Sequence, residues 1–382
     1  NYMELSPIAW LTVGILLMAV EIVLPGFIIF WFGIGALITS LFVYLNLLNT
    51  DIWQWFCFFI SSGAFLGLWF GYLKDKVKDI SRNPLGNLIA KVPGKSKKNV
   101  LLTAHMDEVC LMVREIDENG LIKFAPIGGI IPKILPATAV TIGRKRVPGI
   151  IAIKTLHFSS KAELDTADEI RDMYIDVGAS TKAEVKGVEV GDYIYFTTKF
   201  TRQGDYIFGK AFDDRAGCVA ISEVLCNAPY NVSLYASYNV SEEVGCRGGY
   251  VSAYDVPDLL FSLNFEGTTC SDREVKPTYS PSTELGLGPA FTIMDNSTIT
   301  NKKLLDWAIS VARKSNIPFQ FKRTVTGGTD SGVISLTQSG VPSITLSLPV
   351  RYIHAPWAIV NRFDLENYIK LAIAIINEAD SF

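Results

Sequence analysis

The stretch 233-SLYASYNVSEEVGCRGG-249 is an apolar, alternating run that ends in two adjacent carboxylates, Glu242 and Glu243, followed by a glycine-rich turn. Alternation of this kind is the pattern of a half-buried strand. Neighbouring residues on a strand point to opposite faces. Both glutamates can therefore serve one centre only if the strand stops there and the backbone turns, as Gly245 and Gly248–Gly249 permit. One carboxylate could then hold a metal ion while the other takes a proton from water, which requires hydrogen-bond reach without coordination.

Working outward, GNLIAKV, NVLLTAH, DLLFSLNF and SITLSLPV read as strands, whereas DDRAGCVAISEVLCNA, KLLDWAISVARKSN and FDLENYIKLAIAIINEA show the three-and-four spacing of amphipathic helices. Strands alternating with helices indicate an α/β fold, a mixed sheet with helices on both faces. Residues 128–208 lack the helical pattern and read as an inserted small β domain, barrel-like, leaving 79–127 and 209–382 as the catalytic part.

In open α/β sheets, sites lie beyond the carboxyl ends of strands. His105 ends NVLLTAH, Glu266 ends the strand LLFSLNF, Asp213 and Asp214 precede a helix, and His354 follows SITLSLPV. Oxygen and imidazole donors without thiolates suit zinc, cobalt or manganese. Two ions close together need about five protein ligands with one bridging, and this set can supply them. Any one of these residues alone would be read as solvated or merely hydrogen-bonded, the reading given to His157; it is the constellation that counts.

Residues 8–24, 27–48 and 52–73 are long apolar runs, each about long enough for a hydrocarbon core of ~30 Å, and they predict three transmembrane helices within residues 1–78. Trp10, Trp31, Trp53, Trp55 and Trp69 fall near the expected span ends. The basic flank Lys74, Lys76, Lys78 and Arg82 predicts a multi-pass cell-membrane protein with a cytoplasmic catalytic domain and membrane lipids as partners. The run from residue 8 to about 73 resembles the membrane part of the NfeD family, in which a Glu precedes Pro-Gly, as Glu21 precedes Pro25–Gly26 here. A net charge of −3 gives no electrostatic footprint for nucleic acid. Six scattered cysteines without C-x-x-C spacing read as reduced residues in a cytosolic setting.

The motifs GNLIA, LLTAHMDEV, IDVGA, GKAFDDRAG, SEEVGCRGG, EGTT, GLGPA, GGTDSG and RYIHAP occur in the order found in the glutamyl aminopeptidase and tetrahedral aminopeptidase family, some of whose members are labelled endoglucanases, and the resemblance covers about 83–380. It implies a co-catalytic metallopeptidase with two divalent ions, zinc or cobalt, that removes N-terminal residues from peptides. By resemblance, His105 and Glu266 bind one ion, Glu243 and His354 the second, and Asp213 bridges them. Glu266 stands where many members carry Asp. Glu242 would be the general base, Asp107 would orient His105, and the inserted β domain would mediate homo-oligomer contacts. The sequence departs from the family where the expected spans replace the usual segment before GNLIA. A deacylase of small amides and a membrane scaffold with an inactive peptidase domain stand as alternatives.

Overall fold

Four parallel strands carry the site. The computed structural model describes residues 6–23, 29–48, 50–76, 79–154, 157, 169–273 and 281–382. Within it, Asn99–His105 lies between Ser233–Asn239 and Leu259–Cys270, and the last of these pairs with Ser343–Arg351, all in parallel. The register sets Asn239 opposite His105 and Glu266 opposite Ser347, so four strands present their carboxyl ends at one edge. Antiparallel strands extend the sheet on both sides, to Asp79–Arg82 beyond Leu88–Val92 and to Thr201–Gln203 beyond Ala358–Asn361 and Tyr206–Gly209.

The central strands are buried on both faces. Every residue of Asn99–His105 and of Ser343–Arg351 is buried, including the polar Ser343, Thr345 and Ser347 that alternate with Ile344, Leu346 and Leu348. Helices supply the cover. Phe212–Cys226 packs against Arg362–Glu378, which in turn meets Lys302–Lys314. The short helices Gly249–Ser252 and Asp330–Ile334 form a separate group, in which Ala253, Val256 and Ile334 cluster with Leu101.

Six further strands close into a barrel in the order Cys110–Ile116, Ile122–Ile127, Tyr174–Asp176, Val147–Ala152, Ala139–Ile142 and Tyr193–Phe196. Its interior is filled by Leu111, Ile122, Ile142, Ile151, Ile175 and Ile194, all without exposed surface. Burying each such side chain contributes about 1.5–3 kcal/mol. The barrel begins at Cys110, not at 128: its first hairpin precedes the glycine pair Gly128–Gly129, and Thr201–Gln203 and Tyr206–Gly209 belong to the large sheet. The expected end of a strand at Glu266 also shifts. Leu259–Cys270 continues through Gly267 to Cys270, because residues 267–270 stay paired with 348–351.

Residues 1–78 form a unit of their own. Pro7–Val23 and Ile29–Tyr44 have 17 and 16 residues, fewer than the roughly 20 needed to span a bilayer. Asp51–Lys76 has 26, but Asp51, Gln54, Ser61 and Ser62 interrupt its apolar character and Lys74, Asp75 and Lys76 end it. Among the described residues, no helix is long and apolar enough to cross a membrane. This overturns the three expected spans at 8–24, 27–48 and 52–73, and with them the multi-pass membrane location, the cytoplasmic orientation deduced from it and the lipid partners. Trp10 is not an interfacial anchor: it is buried with Ala36 and Phe58 and donates its indole N–H to Gln54 Oε1 at 2.8 Å. The side chain of Glu21 lies outside the described residues.

Candidate metal centre

His105, the last residue of its strand, is buried, and its two ring nitrogens have different partners. Nδ1 meets the Asp107 carbonyl at 3.1 Å. A carbonyl only accepts, so Nδ1 carries the proton and Nε2 is free to bind a cation. Nε2 lies 3.2 Å from Glu266 Oε1, 3.3 Å from Asp213 Oδ1 and 3.9 Å from Glu242 Oε2. His354 repeats the arrangement, with Nδ1 3.2 Å from the Gly129 carbonyl and Nε2 3.3 Å from Asp213 Oδ2 and 3.6 Å from Glu243 Oε2.

Asp213 thus turns one oxygen to each histidine. Its place at the start of Phe212–Cys226 is not helical (φ −87°, ψ 108°), and the preceding Ala211 sits at φ 55°. Gly267 donates its N–H to Asp213 Oδ1 at 3.1 Å, and a Cβ at Gly267 would come 2.7 Å from Asp213 Cβ. The close approach requires glycine there.

The opening pair is brought to the site as the strand–turn reading requires. Ser233–Asn239 ends, Ser241 adopts φ 59°, and the Glu242 carbonyl accepts from the N–H groups of Gly245 and Cys246 at 2.9 and 2.8 Å. Asp107 locks this turn: Oδ1 accepts from the Glu242 N–H and Oδ2 from the Glu243 N–H, both at 3.2 Å. Its carboxylate stands 3.6 Å from His105 Nδ1, so the carbonyl is the closer partner of that ring.

Crowded carboxylates perturb one another. Burial, reinforced by Asp330 and Asp213, pushes the Glu242 carboxyl up to about 8 although His105 opposes it. Burial and Asp213 raise Glu243 to about 7. Burial also lifts Glu266 well above the carboxylate range. Asp213 goes the other way: burial disfavours its charge, yet hydrogen bonds with both histidines hold it well below its ordinary value. Burial opposes a proton on His354, but Asp213 and Glu243 draw its pKa up to about 9. A group of desolvated carboxylates that demands positive charge is the electrostatic condition for a bound cation. His105, Asp213 and Glu243 each offer a ligand atom within 4.8 Å of the others, and Glu243 Oε1 is buried without a hydrogen-bond partner among the described residues. The donor set fits divalent ions held by imidazole and carboxylate.

Profile and structure comparisons agree on the family. The profile described as M42 glutamyl aminopeptidase matches residues 86–371. The chain belongs to the M42 family. It is an aminopeptidase, a hydrolase of peptide bonds. The lysyl aminopeptidase of Pyrococcus furiosus is 32% identical to this M42 chain over 315 residues, covering 80% of this chain and 89% of the relative. The TET aminopeptidase of the marine sediment archaeon Thaumarchaeota archaeon SCGC AB-539-E09 superposes with a TM-score of 0.76 at 32% identity, covering 80% of this chain and 88% of that one. The TET1 peptidase of Pyrococcus horikoshii, which assembles into a tetrahedron or a large octahedral shell, gives 0.71 at 28% identity, covering 82% and 93%. The M42 profile begins after residue 85 and lends no support to the NfeD resemblance of the preceding segment.

All seven residues singled out from the sequence, His105, Asp107, Asp213, Glu242, Glu243, Glu266 and His354, converge here; His157 is exposed and has no part in the cluster. A cleft of about 440 Å³ opens on them, lined further by Cys246, Thr268, Thr269, Lys322 and Gly327–Gly328. Sequence reading gave no role to Lys322, whose ammonium is bonded to the Thr326 carbonyl at 2.5 Å, nor to Cys246 beside Glu242. The cue for Cys246 lay in its position within the turn that carries the two glutamates.

Proposed function

We propose that this M42 aminopeptidase uses two divalent metal ions, zinc or cobalt, to release N-terminal residues from peptides. His105, Asp213 and Glu266 would hold one ion, and Asp213, Glu243 and His354 the other. The single observation that carries this reading is Asp213, whose two oxygens face Nε2 of two different histidines at 3.3 Å each. When bound, the metals would supply Lewis acidity and a water acidic enough to be deprotonated near neutral pH.

The protein's own groups do the rest. Glu242 takes the proton, a role supported by its raised affinity for protons in a buried setting and by its distance from His105, longer than those of Asp213 and Glu266. Glu242 would then pass that proton to the leaving amine. Asp107 positions Glu242 and Glu243 through their backbone amides and, through its carbonyl, fixes the His105 tautomer. The homologous self-assembling peptidase supports a homo-oligomer, and contacts through the β-barrel are proposed for it.

The test is removal of metal by chelation, followed by readdition of zinc or cobalt. Activity on peptides with free N-termini should be lost and then regained, reaching its maximum at two ions per chain, while N-acetylated peptides stay intact. Full activity of the metal-free protein would refute the reading. Preferential cleavage of acylated amino acids would favour a deacylase.

A further inference from the structure

Glu242 also belongs to a second cluster, whose other two members, Cys246 and Asp330, hydrolysis leaves unused. Its Oε2 faces His105, while Oε1 accepts from Cys246 Sγ at 3.2 Å. Asp330, at the start of the helix Asp330–Ile334, completes the group. Glu242, Cys246 and Asp330 each place one ligand atom within 4.8 Å of the other two. Asp330 is 1% exposed. Its Oδ2 accepts from the Asn239 amide at 2.7 Å, and its Oδ1 takes no hydrogen bond among the described residues. A buried carboxylate oxygen left without a donor is costly unless something cationic supplies the partner.

The chemistry selects the ion. Two carboxylates and one sulfur suit a borderline-soft divalent cation such as zinc or cobalt, whereas magnesium and calcium favour oxygen alone. Three protein donors and one water complete a four-coordinate site. Glu242 and Cys246 both line the cleft, so an ion can reach them from solvent.

We propose that Glu242, Cys246 and Asp330 form an inhibitory site for a third divalent cation of the zinc–cobalt type. Binding breaks the Cys246 S–H bond, releases that proton to solvent and forms a sulfur–metal bond, with no change of oxidation state. It also engages the Glu242 carboxylate, which is then unable to accept a proton from water. The inhibitory consequence rests on Glu242 being the base; the binding itself does not.

The test is a Co²⁺ titration of the two-ion enzyme, followed by absorption, metal content and peptide release together. A third equivalent should bind with a sulfur-to-cobalt charge-transfer band in the near ultraviolet, and peptide release should fall as the band grows. Cys246→Ser should abolish the band. Asp330→Asn, which keeps the thiol, should raise the inhibiting cobalt concentration by about tenfold or more, the scale seen when even an outer partner of a metal is lost. No third equivalent, or a band that survives Cys246→Ser, overturns the proposal. A failure of the two-ion reading is distinct, because peptide release would then not depend on the first two equivalents of cobalt, being full without metal or absent throughout, whatever the band shows.

Discussion

Asp107 and Glu242 are joined through the backbone: Asp107 Oδ1 accepts from the Glu242 N–H at 3.2 Å, while the adjacent oxygen accepts from Glu243. One carboxylate thereby fixes the turn that aims both glutamates. Asp107→Asn puts an amide NH₂ against one of those N–H groups. We expect activity to fall by about 10–100-fold, the range for outer partners of metal ligands. Circular dichroism should show the fold retained, and Asp107→Glu should rescue less than wild type.

Glu242→Gln removes the proton acceptor but keeps the size and the partner of Cys246. The expected loss in kcat is about 10²–10⁴-fold, the scale of general-base catalysis. Metal content by elemental analysis should remain two per chain. Loss of metal together with activity would show Glu242 to be a ligand instead.

Asp213 faces both His105 and His354, whereas Glu266 faces only His105. Asp213→Ala should therefore depress binding of both ions, and Glu266→Ala chiefly one. Calorimetric zinc titrations of the two variants should differ in stoichiometry.

The strand frame and the residues of the site were legible because each carries a strong local signal. NVLLTAH carries the apolar block Val100–Leu102 and SITLSLPV alternates Ile344, Leu346 and Leu348 with polar residues, and both strands sit in the centre of the sheet with every residue buried. His105 and His354 were placed by where those strands end, whereas Glu266, read as the end of LLFSLNF, lies inside a strand that continues to Cys270. What sequence could not give was the route between elements. The barrel's first hairpin, Cys110–Ile127, alternates like any strand pair, so nothing local assigns it to a barrel instead of the large sheet. The N-terminal runs read as membrane spans because apolar composition does not fix helix length, and Pro7–Val23 and Ile29–Tyr44 have 17 and 16 residues. The Trp10–Gln54 hydrogen bond pairs residues 44 positions apart and exists only once the helices pack.

Gly267→Ala should harm both activity and stability. Its Cβ would meet Asp213 Cβ at 2.7 Å and displace the carboxylate that faces both histidines. Kinetics and thermal melting on the same variant should show activity falling by well over tenfold together with a lowered Tm, overpacking of a buried position costing about 1–3 kcal/mol.

Arg351 and Asp272 form a two-pronged ion pair, with Nε to Oδ1 and Nη2 to Oδ2 both at 2.6 Å. Burial alone would raise the Asp272 pKa, but the hydrogen bonds from Arg351 and the Leu285 N–H hold it below its ordinary value. A carboxylate depressed in the folded state contributes stability that is complete above the unfolded pKa of about 3.9 and is lost as pH falls through the folded one. Asp272→Asn should flatten that acid limb below about pH 4, read as the pH dependence of urea midpoints.

The Gly128–Gly129 link leaves the barrel and passes directly over the site. Gly129 gives its carbonyl to His354 Nδ1, and a Cβ at Gly128 would come 3.0 Å from Glu243 Oε2. The barrel is therefore wired into the candidate metal centre as well as attached to the sheet. Cutting it out and splicing the ends would take away the carbonyl that holds the His354 ring, so its far hairpins can be reshaped with less consequence than this link.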